Sequence, residues 1–131
     1  MSLLIKAGKV AGSIVIKDAK VAHYVAKYHT DDLVKKILSV YGDLLKNDDE
    51  KKEEIKQYAA AVALRNFKKS SLKSIKVAAT GHTFDLVEKI KKLHDNPLMS
   101  SDEKKKEISR CCLAIALRNG AADVKNSVLT G

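Results

Sequence analysis

The chain has 131 residues, of which 45% are hydrophobic and 31% charged, and its formal net charge is +9. This balance excludes a wholly disordered chain and fits one domain over residues 1–131 that is large enough to bury a core. One proline, six glycines and no tryptophan favour helix over sheet, because the abundant straight-chain residues lose little rotamer freedom in a helix. We therefore expect an all-α fold, a compact bundle of six to eight helices.

The first predicted element is an N-terminal amphipathic segment. Its apolar residues recur at helical spacing, at Leu3, Ala7, Val10 and Ile14. A second helix is predicted over about residues 18–28, directly before the longest pattern in the chain.

That pattern is a repeat. Residues 29–66 and 82–119 align without a gap at a constant offset of 53, and about half of the aligned positions are identical. Both stretches end in ALRN. A constant register without insertions is typical of a duplicated structural unit. We predict two tandem helical hairpins, each preceded by a basic helical segment.

The first helix of each hairpin is predicted to begin at a threonine N-cap, Thr30 or Thr83. In the first copy its buried stripe is spaced by four, three and four residues, at Leu33, Ile37, Val40 and Leu44. The helix is expected to reach about Leu45 in the first copy. In the second copy Pro97 should stop it near His94 or Asp95.

The second helix of each hairpin begins with the spacing of a capping box, Asn47 with Glu50 and Ser100 with Glu103. It then becomes apolar on nearly every side, which is typical of a helix at the centre of a bundle. ALRN is its predicted C-terminal end, and Gly120 fits the position just past that end. A further helix is expected over about residues 70–79 and a short closing helix over 121–129.

The positive charge is concentrated before the two hairpins. Residues 1–28 hold five lysines and one aspartate, and residues 67–83 hold four lysines and no acidic residue. The candidate basic surface consists of Lys17, Lys20, Lys27, Lys68, Lys69, Lys73 and Lys76. Such lysines bind a phosphate backbone, bind another acidic partner, or form a solvated helix face. No motif for reading base sequence accompanies them.

Arg65 and Arg118 are the repeat-matched polar residues of interest, because each lies at the end of a predicted central helix. They either bind helix carbonyl groups or form a symmetric anion site. For His29 and His82 we expect a local hydrogen-bonding role. The neighbouring Cys111 and Cys112 are expected to be buried thiols, because a disulfide between sequence neighbours is strained.

The stretches LKNDDEKKEEI and LMSSDEKKKEI resemble the acidic helix starts of tellurite-resistance (TerB-type) helical domains. Those domains carry an Asp-Gly loop that is associated with metal, and this chain lacks it. We therefore transfer no site residue from the resemblance.

The leading hypothesis for function is a non-enzymatic interaction module of the cytoplasm, an adaptor, inhibitor or accessory subunit that docks a protein partner. The alternative is a small basic nucleic-acid-binding protein that contacts the phosphate backbone with weak sequence preference. A metal-dependent stress protein is the third hypothesis. No nucleophile with its base and no nucleotide-binding glycine loop is recognisable, so we expect no enzyme, cofactor or metal. A membrane partner is not expected, and homo-oligomerisation stays open.

Overall fold

The computed structural model describes residues 9–16, 19–66, 75–76, 82–120 and 122–130. These residues contain five helices and three strands. The helices are α1 (Ala19–Lys27), α2 (Thr30–Tyr41), α3 (Asp48–Asn66), α4 (Thr83–His94) and α5 (Ser101–Arg118). The strands are β1 (Lys9–Ile16), β2 (Ile75–Lys76) and β3 (Ala122–Thr130). The helical body of the protein is thus confirmed, with five helices in the described residues instead of six to eight.

Capping residues fix where α3 and α5 begin. The Glu50 backbone N–H donates to Asn47 Oδ1 at 2.9 Å, and the Asn47 N–H donates to Glu50 Oε1 at 3.3 Å. At α5 the Glu103 N–H donates to Ser100 Oγ at 3.2 Å. These bonds satisfy N–H groups that have no partner within the helix. Both predicted starts are confirmed.

The bounds of α2 and α4 correct two expectations. Their N-caps are His29 and His82, one residue before the predicted threonines, and both have extended backbones. The second correction concerns the C-terminal end of α2, which lies at Tyr41 and not at about Leu45 as predicted. Leu44 continued the apolar spacing, yet it is 95% exposed. The turn that begins at Gly42 ends the helix before this leucine.

The two long helices α3 and α5 pack against each other at the centre, with α2 and α4 on their flanks and α1 against α3. The small-residue run from Ala59 to Ala63 is fully buried, and so is the matching part of α5, including Cys112. Small side chains let helix backbones approach closely, which places both long helices inside the core. The prediction of central helices and buried thiols is confirmed.

Three segments predicted to be helical contain strands instead. β1 pairs antiparallel with β3 from Ile16↔Ala122 to Lys9↔Thr130, and with β2 at Val10↔Ile75. The N-terminal segment is therefore a strand over residues 9–16, and residues 1–8 lie outside the described ranges. The β-branched run Ile14, Val15 and Ile16 favours strand, because branched side chains are crowded in a helix.

α1 confirms the helix predicted over 18–28, and it packs on the first hairpin through Tyr24, whose ring centroid lies 4.9 Å from that of Tyr58. The second hairpin has Cys111 at the position matching Tyr58. The helix predicted over 70–79 is wrong at Ile75–Lys76, which is β2, and its other residues lie outside the described ranges. The closing helix predicted over 121–129 is also wrong, because Ala122–Thr130 form the strand β3.

Candidate functional site

The asparagine of each ALRN ties its hairpin together. Asn66 Nδ2 donates to Thr30 Oγ1 at 3.0 Å and to the Val62 carbonyl oxygen at 2.8 Å. Asn119 Nδ2 repeats both bonds, to Thr83 Oγ1 at 2.9 Å and to the carbonyl oxygen one helical turn back at 2.8 Å. Each bond to a threonine joins the end of the second helix to the start of the first, whereas each bond to a carbonyl oxygen lies within the second helix. The repeated asparagine therefore has a structural role.

Arg65 binds the C-terminal end of α1, the helix that precedes its hairpin. Its Nη1 donates to the Val25 carbonyl oxygen in the last turn of α1 at 2.6 Å, and its Nη2 lies 3.4 Å from His29 Nδ1. A cation suits the negative end of a helix. Arg118 ends α5 and is exposed. The Arg65 bond therefore joins the first hairpin to α1.

The candidate basic surface is described only in part. Lys20 and Lys27 lie exposed on α1, and Lys27 Nζ is 5.4 Å from the centroid of the Tyr28 ring. Lys76 is in β2, where its Cα pairs with that of Lys9. The remaining candidates lie outside the described ranges: Lys17, Lys68, Lys69 and Lys73.

Two turns present leucines to solvent at the tips of the hairpins. In residues 42–47 the Leu45 N–H donates to Asp43 Oδ1, and in residues 95–100 the Leu98 N–H donates to Asn96 Oδ1, both at 2.9 Å. Leu45 is 94% exposed and Leu98 is 93% exposed. We call these two segments the leucine turns. Because the side-chain acceptor two residues back fixes each backbone, the leucines are held outward by the turn itself.

The helices α2 and α4 run antiparallel, so the C-terminal end of each lies beside the N-terminal end of the other. At the first end, here called the closed end, the rings of Tyr41 and Phe84 lie 5.7 Å apart. Tyr41 Oη donates to Glu88 Oε1 at 2.8 Å, and this hydrogen bond raises the pKa of Tyr41 above its usual value. Lys51 Nζ lies 6.0 Å from the Tyr41 ring, and Lys52 Nζ lies 5.4 Å from the Phe84 ring.

The opposite end, here called the open end, has Asp31 where the closed end has Phe84, and His94 where it has Tyr41. The Asp31 Oδ1 to His94 Nε2 distance is 3.5 Å. Next to this polar pair lies a cavity of about 380 Å³. Its apolar lining residues are Val34 and Ile108. Its polar lining consists of Thr30, Asp31, His94, Ser101, Lys104 and Lys105.

Charges at the open end are unevenly satisfied. Asp31 Oδ2 lies 3.1 Å from Lys35 Nζ, and this hydrogen bond, supported by His94, lowers the pKa of Asp31 below its usual value. Lys104 Nζ donates to the His94 carbonyl oxygen at 3.0 Å. Lys105 is exposed and makes no hydrogen bond or ion pair with the described residues. The cavity lining thus contains one carboxylate, Asp31, which already has Lys35 and His94 as cationic or polar partners. It also contains the two ammonium groups of Lys104 and Lys105.

The cysteines offer no reactive site. Burial raises the pKa of Cys111 and raises that of Cys112 further. A thiol held protonated is a poor nucleophile. Among the residues that the structure describes, no group of three or more His, Cys, Asp or Glu side chains is arranged to hold a metal ion.

Comparisons of this chain with protein-family models, with curated proteins and with solved structures gave no match. Within the described ranges, no helix combines the length and the apolar character that crossing a membrane requires.

Neither the leucine turns nor the open end was predicted from the sequence. The repeat alignment contains the signal for the open end, because two aligned pairs differ in residue type. Asp31 aligns with Phe84, and Tyr41 aligns with His94. Only the antiparallel packing of α2 on α4 shows that these positions form two ends of one contact.

Proposed function

We propose that this protein is a non-enzymatic, cytoplasmic protein-interaction module built from two copies of one helical hairpin, and that it docks partners through its leucine turns. The observation that carries the proposal is the exposure of Leu45 and Leu98 at matched positions, 94% and 93%. A leucine with this exposure contributes almost nothing to the core, whereas burying it in a partner would contribute about 1.5–3 kcal/mol.

The surroundings of the leucine turns define the partner chemistry. Exposed acidic residues follow each turn at the start of the next helix, Asp48 and Asp49 after the first and Asp102 and Glu103 after the second. A complementary partner therefore has an apolar pocket with a basic rim. The turns follow opposite ends of the α2–α4 pair, so they are separated by about one 12-residue helix, roughly 18 Å.

The test compares wild type with a Leu45→Ser, Leu98→Ser variant and with a control, Lys91→Ser, Lys92→Ser, on the exposed surface of α4. A partner isolated from nuclease-treated extract is purified and titrated against all three proteins by calorimetry. We expect wild type and control to bind equally and the leucine variant to bind at least about ten-fold more weakly. Equal affinity of all three proteins would contradict docking through the leucine turns.

The alternative function is backbone binding of nucleic acid, and the concentration of lysine in residues 1–28 and 67–83 favours it. Anisotropy of labelled oligonucleotides tests it with a variant in which Lys68, Lys69, Lys73 and Lys76 are alanine. Binding that falls with salt and is lost in this variant would support the alternative. Absence of binding at low salt would leave these lysines as solvated side chains.

A further inference from the structure

The two ends of the α2–α4 pair give their lysines different partners. At the closed end Lys51 and Lys52 lie over aromatic rings, whose negative faces attract cations. The matched lysines at the open end are Lys104 and Lys105. In place of the rings they have the cavity, because Asp31 and His94 are smaller than the phenylalanine and tyrosine at the matched positions.

The one carboxylate in the cavity lining does not neutralise these lysines. Asp31 is bound by Lys35 at 3.1 Å and lies 3.5 Å from His94. Ser101 and Thr30 add hydroxyl groups to the lining. A volume of about 380 Å³ lies near the lower end of the range of small-molecule sites.

We propose that the open end binds a small organic anion, a carboxylate or a phosphate ester with a short apolar body. Lys104 and Lys105 bind the anionic group, and the apolar body lies against Val34 and Ile108. The ligand takes the place that the Tyr41 and Phe84 rings occupy at the closed end. The proposal is independent of docking through the leucine turns, because it uses none of their residues.

The test is a titration of the ¹⁵N-labelled protein with benzoate, with phenyl phosphate and with benzyl alcohol, followed by amide chemical shifts. Benzoate and phenyl phosphate distinguish the two anionic groups, and benzyl alcohol is the neutral control. We expect saturable shifts at Asp31, Ser101 and Lys105 with at least one anion, a Kd of about 1 mM or below, and none with benzyl alcohol. The matched amides at the closed end, Phe84, Asp48 and Lys52, should not shift.

The variant Lys105→Gln tests the role of charge, and Lys52→Gln is its matched control. Both lysines are exposed, so neither change should disturb folding, which the same spectra report. We expect Lys105→Gln to weaken binding about five-fold or more and Lys52→Gln to leave it unchanged. Two results would overturn the proposal: no saturable shift with either anion up to about 20 mM, or equal shifts at both ends, which would indicate general charge screening.

Discussion

At one end of the α2–α4 pair the rings of Tyr41 and Phe84 lie 5.7 Å apart and pack beneath two lysines. At the other end Asp31 and His94 occupy the matched positions beside a cavity of about 380 Å³. The threonine–asparagine bonds that hold each hairpin are almost the same at both ends, 3.0 Å and 2.9 Å. The same hairpin frame can therefore support a packed aromatic contact at one end and an open cavity at the other.

The largest difference between the two ends should be in stability. Phe84→Ala removes a half-buried ring and its contact with Tyr41, so we expect a loss of about 2 kcal/mol in the free energy of unfolding. The matched change Asp31→Ala removes an exposed carboxylate and should cost less than about 0.5 kcal/mol. Urea unfolding measures both. Equal losses would show that the closed end is not held by its rings.

The hairpin bonds should instead behave alike. Asn66→Ala and Asn119→Ala each remove two hydrogen bonds and leave a threonine hydroxyl without its donor. We expect each change to cost about 1 kcal/mol in the free energy of unfolding. Urea unfolding of both variants measures the losses side by side. A loss confined to one hairpin would contradict the view that the same asparagine–threonine bond stabilises both hairpins.

Filling the open end should make it resemble the closed one. The double variant Asp31→Phe, His94→Tyr places two rings where the cavity lies, so we expect a gain of about 1 kcal/mol in the free energy of unfolding. Each single variant supplies one ring without its partner and should gain less. A double variant less stable than wild type would show that the open end cannot accommodate the aromatic contact.

The smallest expected effect is in acid. The Lys35 hydrogen bond lowers the pKa of Asp31 below 3.8 in the folded state, so its stabilisation is present above about that pH and is lost as the pH falls through the folded-state pKa. Since the side chain is 65% exposed, we expect at most a few tenths of a kcal/mol.

Melting curves between pH 7 and pH 2 check this effect. Asp31→Asn should be slightly less stable than wild type near neutrality and equal to it at the acid end. Phe84→Ala, which changes no ionisable group, serves as the control and should keep the wild-type acid dependence. A constant difference between Asp31→Asn and wild type at every pH would contradict the assignment.

Local signals predicted the helical body well. The starts of α3 and α5 follow from side chains three residues apart, such as Asn47 and Glu50, whose bonds form within one turn. The end of α4 at His94 follows from Pro97. The predicted end of α2 at about Leu45 was wrong because apolar spacing at Leu44 cannot distinguish a buried residue from one in an exposed turn.

Long-range pairing could not be predicted in this way. β1 and β3 pair residues more than 100 positions apart, and the spacing of Val10 and Ile14 fits a helix as well as a strand. The cavity was missed for the same reason. Asp31 and His94 are 63 positions apart, and they meet only because α2 packs antiparallel on α4.

In our proposal the open end differs from the closed end because it can bind a small anion. The most direct measurement is the melting temperature of wild type and of the Asp31→Phe, His94→Tyr variant, with and without the tighter-binding anion at about ten times its Kd. Binding to the folded state alone should raise the wild-type melting temperature by several degrees, on the order of 5 °C. The filled variant should show no rise. An equal rise in both proteins, or none in wild type, would contradict the claim.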